Sequence, residues 1–258
     1  MLKVRVIPCM LFNGFHLVKT ISFGQIRNLG NPIQMARVYN SRNVDELIFI
    51  DLAATEERRE PEYDTITEIM KECFMPVTIG GWITKIADVD RLMRIGADKI
   101  AINNAAIVCP EFITELAEKF GSQCVVISID GKRVGEEHYV FTHRGTVNTG
   151  IPVTTWVEKV TARGAGEIFL TSVDQDGTMA GYNLPLIAAA ADATTIPVIA
   201  CGGAGKVQDI IDAVLVGHAN AVSLASIFHY GGHTVNSIKE RMHKAGIPVR
   251  LMRENYET

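Results

Sequence analysis

Several common chemistries leave no trace in this sequence of 258 residues. No apolar run reaches transmembrane length, and the opening Met-Leu-Lys-Val-Arg-Val-Ile-Pro lacks the apolar core of a signal peptide. The five cysteines, Cys9, Cys73, Cys109, Cys124 and Cys201, are odd in number and form no CxxC pair. That argues against a disulfide framework and for free thiols in a reducing, cytoplasmic setting. H-x-x-H, His/Cys clusters and GxSxG are all missing, so neither a metal site nor a hydrolase triad is expected, and no cofactor is implied. A formal charge of −4 and a pI near 6.0 lack the basic excess that nucleic acid selects. An anionic ligand would have to be held by local design.

What remains is an ordinary globular composition, 47% hydrophobic and 21% charged. A chain of this length can bury one large core, so residues 1–258 are expected to form a single domain. Eight short apolar runs recur: Val4 to Met10, Glu46 to Asp51, Val77 to Gly80, Lys99 to Asn103, Cys124 to Asp130, Glu167 to Ser172, Val198 to Cys201 and Ala221 to Ala225. They are continuous, as in strands covered on both faces of a parallel sheet. Helical periodicity lies between them at Asp88 to Ile95, Pro110 to Phe120, Thr154 to Arg163 and Val207 to Val216, with Gly96, Gly121, Gly164 and Gly217 placed as helix stops. Eight βα units predict a (β/α)8 TIM barrel; a doubly wound sheet is the alternative. The segments 12–32 and 131–150 exceed the short-loop rule and are expected to be lids or substrate contacts at the mouth, the first alternatively a disordered surface loop.

The barrel is written as two similar halves. An offset of 121 residues puts Pro76 on Pro197, Glu46 on Glu167 and Trp82 on Gly203; an offset of 119 puts Leu11 on Asp130. Gly202-Gly203, Ala225-Ser226 and Asp176-Gly177-Thr178 end three successive strands, and their exposed amides can together cradle a phosphate. The first-half counterpart carries Trp82 beside Asn103-Asn104. An indole there would displace a phosphate and could stack on a ring or sugar face instead.

Asp130 ends the fifth strand, where a barrel enzyme keeps a general acid or base, unless it simply pairs with a neighbour such as Lys132. Asp51 ends the second strand, and Lys19 on the first long loop could reach a bound anion. Because Leu11 stands opposite Asp130, a two-carboxylate mechanism across the mouth is not expected. At the other end of the barrel, Arg5, Glu46, Lys99 and Glu167 sit at strand starts. They form either a salt-bridged plug or a gate for small polar molecules.

The segments Asp-Glu-Leu-Ile-Phe-Ile-Asp, Ile-Asp-Gly-Lys-Arg-Val, Asp-Gln-Asp-Gly-Thr-Met-Ala-Gly-Tyr and Gly-Gly-Ala-Gly-Lys resemble the HisF family, the cyclase subunits of imidazole glycerol phosphate synthase, over nearly the whole chain. The resemblance implies a half-barrel-duplicated fold, a HisH-like glutaminase partner on the N-terminal face with Asp98 at the contact, and ammonia passing through Arg5, Glu46, Lys99 and Glu167. It also implies catalytic roles for Asp130 and Lys19, and substrate contacts at Asp51, Asn103, Asp176, Gly177, Gly202, Gly203, Ala225 and Ser226. The chain departs from the family where one catalytic aspartate is Leu11, a phosphate-site glycine is Trp82 and a threonine is Asn104. That pattern is similar to HisF-like paralogues of surface-polysaccharide pathways, which implies ammonia delivery for converting an acetamido sugar, phosphorylated or nucleotide-linked, to an acetamidino sugar. The other readings are authentic imidazole glycerol phosphate synthase and a non-catalytic scaffold for a glutaminase.

Overall fold

The computed structural model describes residues 2–230 and 232–252. Eight parallel strands close into a barrel: β1 (Arg5–Phe12), β4 (Leu47–Asp51), β5 (Val77–Gly80), β6 (Lys99–Ile102), β7 (Val125–Val134), β10 (Glu167–Ser172), β11 (Val198–Cys201) and β12 (Ala221–Leu224). They pair in that order, and β12 returns to β1. Helices cover the outside: α1 (Pro32–Ser41), α2 (Leu52–Glu57), α3 (Tyr63–Glu72), α4 (Ile86–Ile95), α5 (Asn104–Val108), α6 (Glu111–Phe120), α7 (Val153–Ala162), α8 (Leu184–Asp192), α9 (Val207–Leu215), α10 (Ser226–Tyr230) and α11 (Val235–Lys244). The architecture is a (β/α)8 TIM barrel.

Both long segments are ordered β-hairpins rather than irregular loops. β2 (Leu17–Ile21) pairs antiparallel with β1 and with β3 (Gln25–Gly30). β8 (Glu137–Thr142) pairs with the extension of β7 and with β9 (Val147–Pro152). Each hairpin thus prolongs a barrel strand beyond the mouth, so its backbone bonds are satisfied by the sheet it continues.

The duplication is visible in the helix starts. Asp88 Oδ2 accepts from the Thr84 and Lys85 amides, and 121 residues later Asp209 Oδ2 accepts from those of Gly205 and Lys206. Each carboxylate satisfies amide donors at a helix start that would otherwise be unpaired. Of the glycines read as helix stops, Gly96, Gly121 and Gly164 have positive φ, whereas at the end of α9 the left-handed residue is His218 (φ 59). Gly217 is there for space: an added Cβ would lie 2.6 Å from the Ala213 carbonyl oxygen.

Side chains alternate along each strand, outward under the helices and inward along the axis. The outward set forms the main core, in which Trp156, Phe49 and Leu47 are fully buried. The inward set is stacked in levels, with a charged floor, an apolar middle and a polar mouth. Among the described residues no helix is long and apolar enough to cross a membrane.

Candidate functional site

Arg5 heads β1, Glu46 precedes β4, Lys99 opens β6 and Glu167 opens β10, all facing the axis. Arg5 Nη1 contacts Glu46 Oε1 at 2.7 Å and Glu167 Oε1 at 2.8 Å; Lys99 Nζ contacts Glu46 Oε2 at 3.0 Å and Glu167 Oε2 at 2.9 Å. Every acid meets both bases and every base both acids, so the four close a neutral ring across the floor. Pairing of this completeness offsets the cost of taking four charges out of water. Asp98 lies exposed on the same end. One of its carboxylate oxygens accepts from the Val77 amide at 2.8 Å, as Asn220 does for Val198 at 2.9 Å in the second half. That backbone cap accounts for Asp98 structurally.

Above the ring, Ile7, Ile48, Ala101, Val126, Phe169, Ile199 and Ala221 form a separate apolar cluster along the axis. Cys9, Ile50 and Cys201 continue it toward the mouth. Burial pushes the Cys9 thiol up well beyond its ordinary range, and Cys201 up to about 12, so both stay protonated.

The mouth is a cavity of about 160 Å³, open to solvent and lined by side chains from both halves. Asp130, 8% exposed, accepts a 2.9 Å hydrogen bond from Asn103 Nδ2. The sequence left open a pairing with Lys132; its partner is Asn103, a neutral group, while Lys132 lies over the Phe141 ring. With no cation to compensate, burial raises the Asp130 carboxyl from 3.8 to about 7; the Asn103 bond opposes this and the nearby Asp176 charge adds to it. Asp176 is itself raised to about 6 by burial, held back by a 2.7 Å bond from Thr20 Oγ1 and by Lys19. Leu11 does line the cavity opposite Asp130, as its sequence position requires, but a second titratable carboxyl is present from another direction. Two buried acids with raised pKa values thus line the same mouth, the kind of pair from which proton transfer can be built.

Lys19, on β2, is buried and its Nζ lies 3.4 Å from Ser226 Oγ, the link that ties the first hairpin to the last barrel turn. Burial, then the Arg27 charge, lower its pKa, against the attraction of Asp176. Next to it, Asp176, Gly177, Gly202, Gly203, Ala225 and Ser226 line one pocket, so the three turns singled out in the sequence do converge. The crowding there is strict: a Cβ on Gly177 would sit 1.9 Å from the Thr20 carbonyl oxygen, and one on Gly203 2.1 Å from that of Gly181. Backbone comes this close only where side chains are excluded, which leaves amides to face a ligand.

Asp51 proves to be a structural carboxylate. It is fully buried; Oδ1 accepts from the Ala54 amide, and Oδ2 from the Glu62 amide and from Arg59 at 3.2 Å. Its oxygens cap α2 and hold the following loop, and its full burial keeps it out of the lining of the mouth. Trp82, Asn103 and Asn104 line the first-half wall of the mouth as their positions suggested. Arg144 lines it as well and was not foreseen: it sits on the β8–β9 turn, and no local pattern marks a lone arginine in a hairpin. No group of three or more His, Cys, Asp or Glu side chains suited to a metal ion occurs among the described residues.

Eight parallel strands that gather their acids and open turns at the C-terminal mouth define, by class, a barrel of the kind that carries enzyme active sites at this end. The family model described as histidine biosynthesis protein matches residues 5–234, and the chain belongs to that family of barrel enzymes.

Proposed function

We propose that this barrel is the synthase subunit of a glutamine amidotransferase. Ammonia, released by a HisH-like glutaminase subunit on the N-terminal face, passes the ring of Arg5, Glu46, Lys99 and Glu167 and reaches a phosphate-bearing substrate at the mouth. The observation that carries this reading is the pairing of an intact charged floor with a mouth in which Leu11 stands opposite Asp130. The apolar level above the ring favours neutral NH3 over ammonium, since burying an unpaired charge is costly.

The substrate is an acetamido sugar that leaves as an acetamidino sugar. Ammonia adds to the amide carbon, the C–O bond breaks, and the oxygen departs as water. The oxygen must gain two protons and the incoming nitrogen lose two; Asp130, raised to about 7 and so partly protonated at neutral pH, gives each proton to the oxygen and is recharged from the nitrogen by way of Asp176. Asp176, ionised at a slightly lower pH, is placed to take a proton from the incoming nitrogen. The amides of Gly177, Gly203 and Ser226, with Lys19 above them, hold the substrate's phosphate.

One observation favours a second reading, formation of imidazole glycerol phosphate itself: Asp176 supplies a second carboxyl that the loss of an aspartate at Leu11 had seemed to remove. Growth tests separate the two. Deleting the gene in its own host should strip acetamidino groups from the surface polysaccharide and leave growth without histidine intact. Histidine prototrophy restored by this chain in a cyclase-deficient strain would decide for imidazole formation. Full amidation by an Asp130→Asn chain would decide for a scaffold that only binds the glutaminase.

A further inference from the structure

One level of the mouth is built in opposite ways by the two halves. Strand pairing sets Leu11 beside Ile50, Ile50 beside Gly80 and Gly80 beside Ala101, a single row across β1, β4, β5 and β6. The repeat partners of the first three are Asp130, Thr171 and Cys201, and these are neighbours as well, on β7, β10 and β11. At this level the second half lines the cavity with a carboxyl, a hydroxyl and a thiol, and the first half with aliphatic carbon alone. Gly80 makes the aliphatic row possible. An added Cβ would lie 2.7 Å from Ile50 Cδ1 and 3.1 Å from the Ala101 Cβ, so the glycine gives the isoleucine room to lie across the row. Leu11 and Ile50 are only partly buried and both line the mouth, so part of their apolar surface is open to whatever binds there.

An aliphatic recess opposite a carboxyl complements a small group that is apolar at one end and accepts a hydrogen bond at the other. A sugar hydroxyl, a phosphate or an ammonium group would lose water against Leu11 and Ile50 and find no partner there. We infer that Leu11 and Ile50 are the specificity element of the mouth, a recess that takes the methyl of an N-acetyl group and sets its carbonyl oxygen toward Asp130. The inference rests on the amidotransferase reading and names what selects its substrate. Asp130, partly protonated at neutral pH, can donate to that oxygen before ammonia arrives. The Ile50 and Ala101 side chains already fill the space over Gly80, which closes the recess to longer acyl chains.

Calorimetric titration of the full chain with the 6-phosphates of N-formyl-, N-acetyl- and N-butyrylglucosamine, and with inorganic phosphate, tests it. The acetyl probe should bind about fourfold or more tighter than the formyl probe, the effect of one buried methyl, and tighter than the butyryl probe. Leu11→Ala widens the recess and should move the preference to butyryl. Leu11→Asn, close in size and uncharged, should erase the preference for acetyl over formyl and leave inorganic phosphate unchanged. Ile50→Val, the mildest change on the row, should reduce that preference and keeps the test open if either Leu11 variant folds poorly. Ser226→Ala should weaken all four probes alike, which separates the recess from the phosphate site. Equal affinity for the acetyl and formyl probes, including no binding of either beyond that of inorganic phosphate, would overturn the inference. So would a preference unchanged in the Leu11 and Ile50 variants. The titration needs neither ammonia nor a glutaminase. An acetyl preference in a chain that restores histidine prototrophy would therefore remove the amidotransferase reading alone. Equal affinities in a chain whose deletion strips acetamidino groups would remove this inference alone.

Discussion

The turns after β5 and β11 occupy equivalent places in the two halves and both run through two successive residues of positive φ, yet they present different surfaces. Gly81 and Gly202 both have positive φ (126° and 90°), and so do the residues that follow them, Trp82 (47°) and Gly203 (113°). The helix starts beyond are capped alike by Asp88 and Asp209. At Gly203 a neighbouring carbonyl forbids any side chain, and the turn offers bare amides. At Trp82 the path taken by α2 leaves a cavity, and the side chain fills part of it. The two halves therefore share the positive-φ turn and its cap, while the chemistry of each half of the mouth follows from what packs behind the turn.

The harshest way to break this comparison is to give the second half a side chain. In Gly203→Ala the new Cβ meets backbone rather than a movable side chain, and the left-handed φ adds strain. A loss of about 3 kcal/mol or more in chemical denaturation is expected, together with loss of phosphate binding. A stability within 0.5 kcal/mol, roughly the scatter of harmless substitutions, would show that the turn yields and that the halves differ less than their packing implies.

Asp130 has no acidic counterpart in the first half, so Asp130→Asn sharpens the asymmetry. Activity should fall by about 10²–10⁴ if the carboxyl moves protons in the reaction. Stability should move the other way. A carboxyl whose folded pKa is raised from 3.8 to about 7 disfavours the folded state once it ionises, so its penalty is absent below pH 3.8, grows through that interval and is complete above about 7. The asparagine variant escapes it and should be more stable than the parent at pH 8, with the advantage shrinking toward pH 4. Denaturant titrations at the two pH values check this; an advantage independent of pH would remove the burial argument.

The floor answers the same comparison differently. Its acids are repeat partners, Glu46 and Glu167, but its bases are not, since Arg5 and Lys99 both come from the first half. Lys99→Met leaves two glutamates sharing Arg5. With side chains 11–21% exposed, the ring is partly screened, and a loss of about 2 kcal/mol is expected, below that for a fully buried pair. Replacing Lys119, whose pair with Asp90 lies outside, should cost a few tenths of a kcal/mol at most. Equal effects for the two lysines would mean that the ring is no tighter than a surface pair.

How far the sequence reaches can be argued from these same residues. The barrel, the ring and the convergence of the three glycine turns were legible because each depends on where strands begin and end, and continuous apolar runs mark that well. Asp130 was legible as a mouth residue, but its partner Asn103 comes from the turn after β6, and only the closed sheet brings the two together. Asp51 was misread because a strand-end carboxylate looks the same whether it faces substrate or caps the next helix; the Glu62 amide that decides the matter is 11 residues away. Arg144 stayed hidden for a stronger reason. Its partners Glu56 and Phe23 are 88 and 121 residues distant, on elements that meet only above the finished barrel.

The gentlest change should reveal the most about how the halves diverged. Trp82→Gly gives the first half the residue that the second half has. Relief of the left-handed strain, about 1 kcal/mol, is set against the burial lost from a partly buried indole, so net stability should shift by less than about 1 kcal/mol. The freed turn would then present the amides of Gly81 and residue 82 to the cavity beside Asn104, whose buried amide nitrogen lacks a partner. Phosphate titration of this variant should resolve two sites where the parent chain has one. A single site in both would mean that the cradle in the first half was lost in its backbone, and that the indole settled into a place where no phosphate could rest.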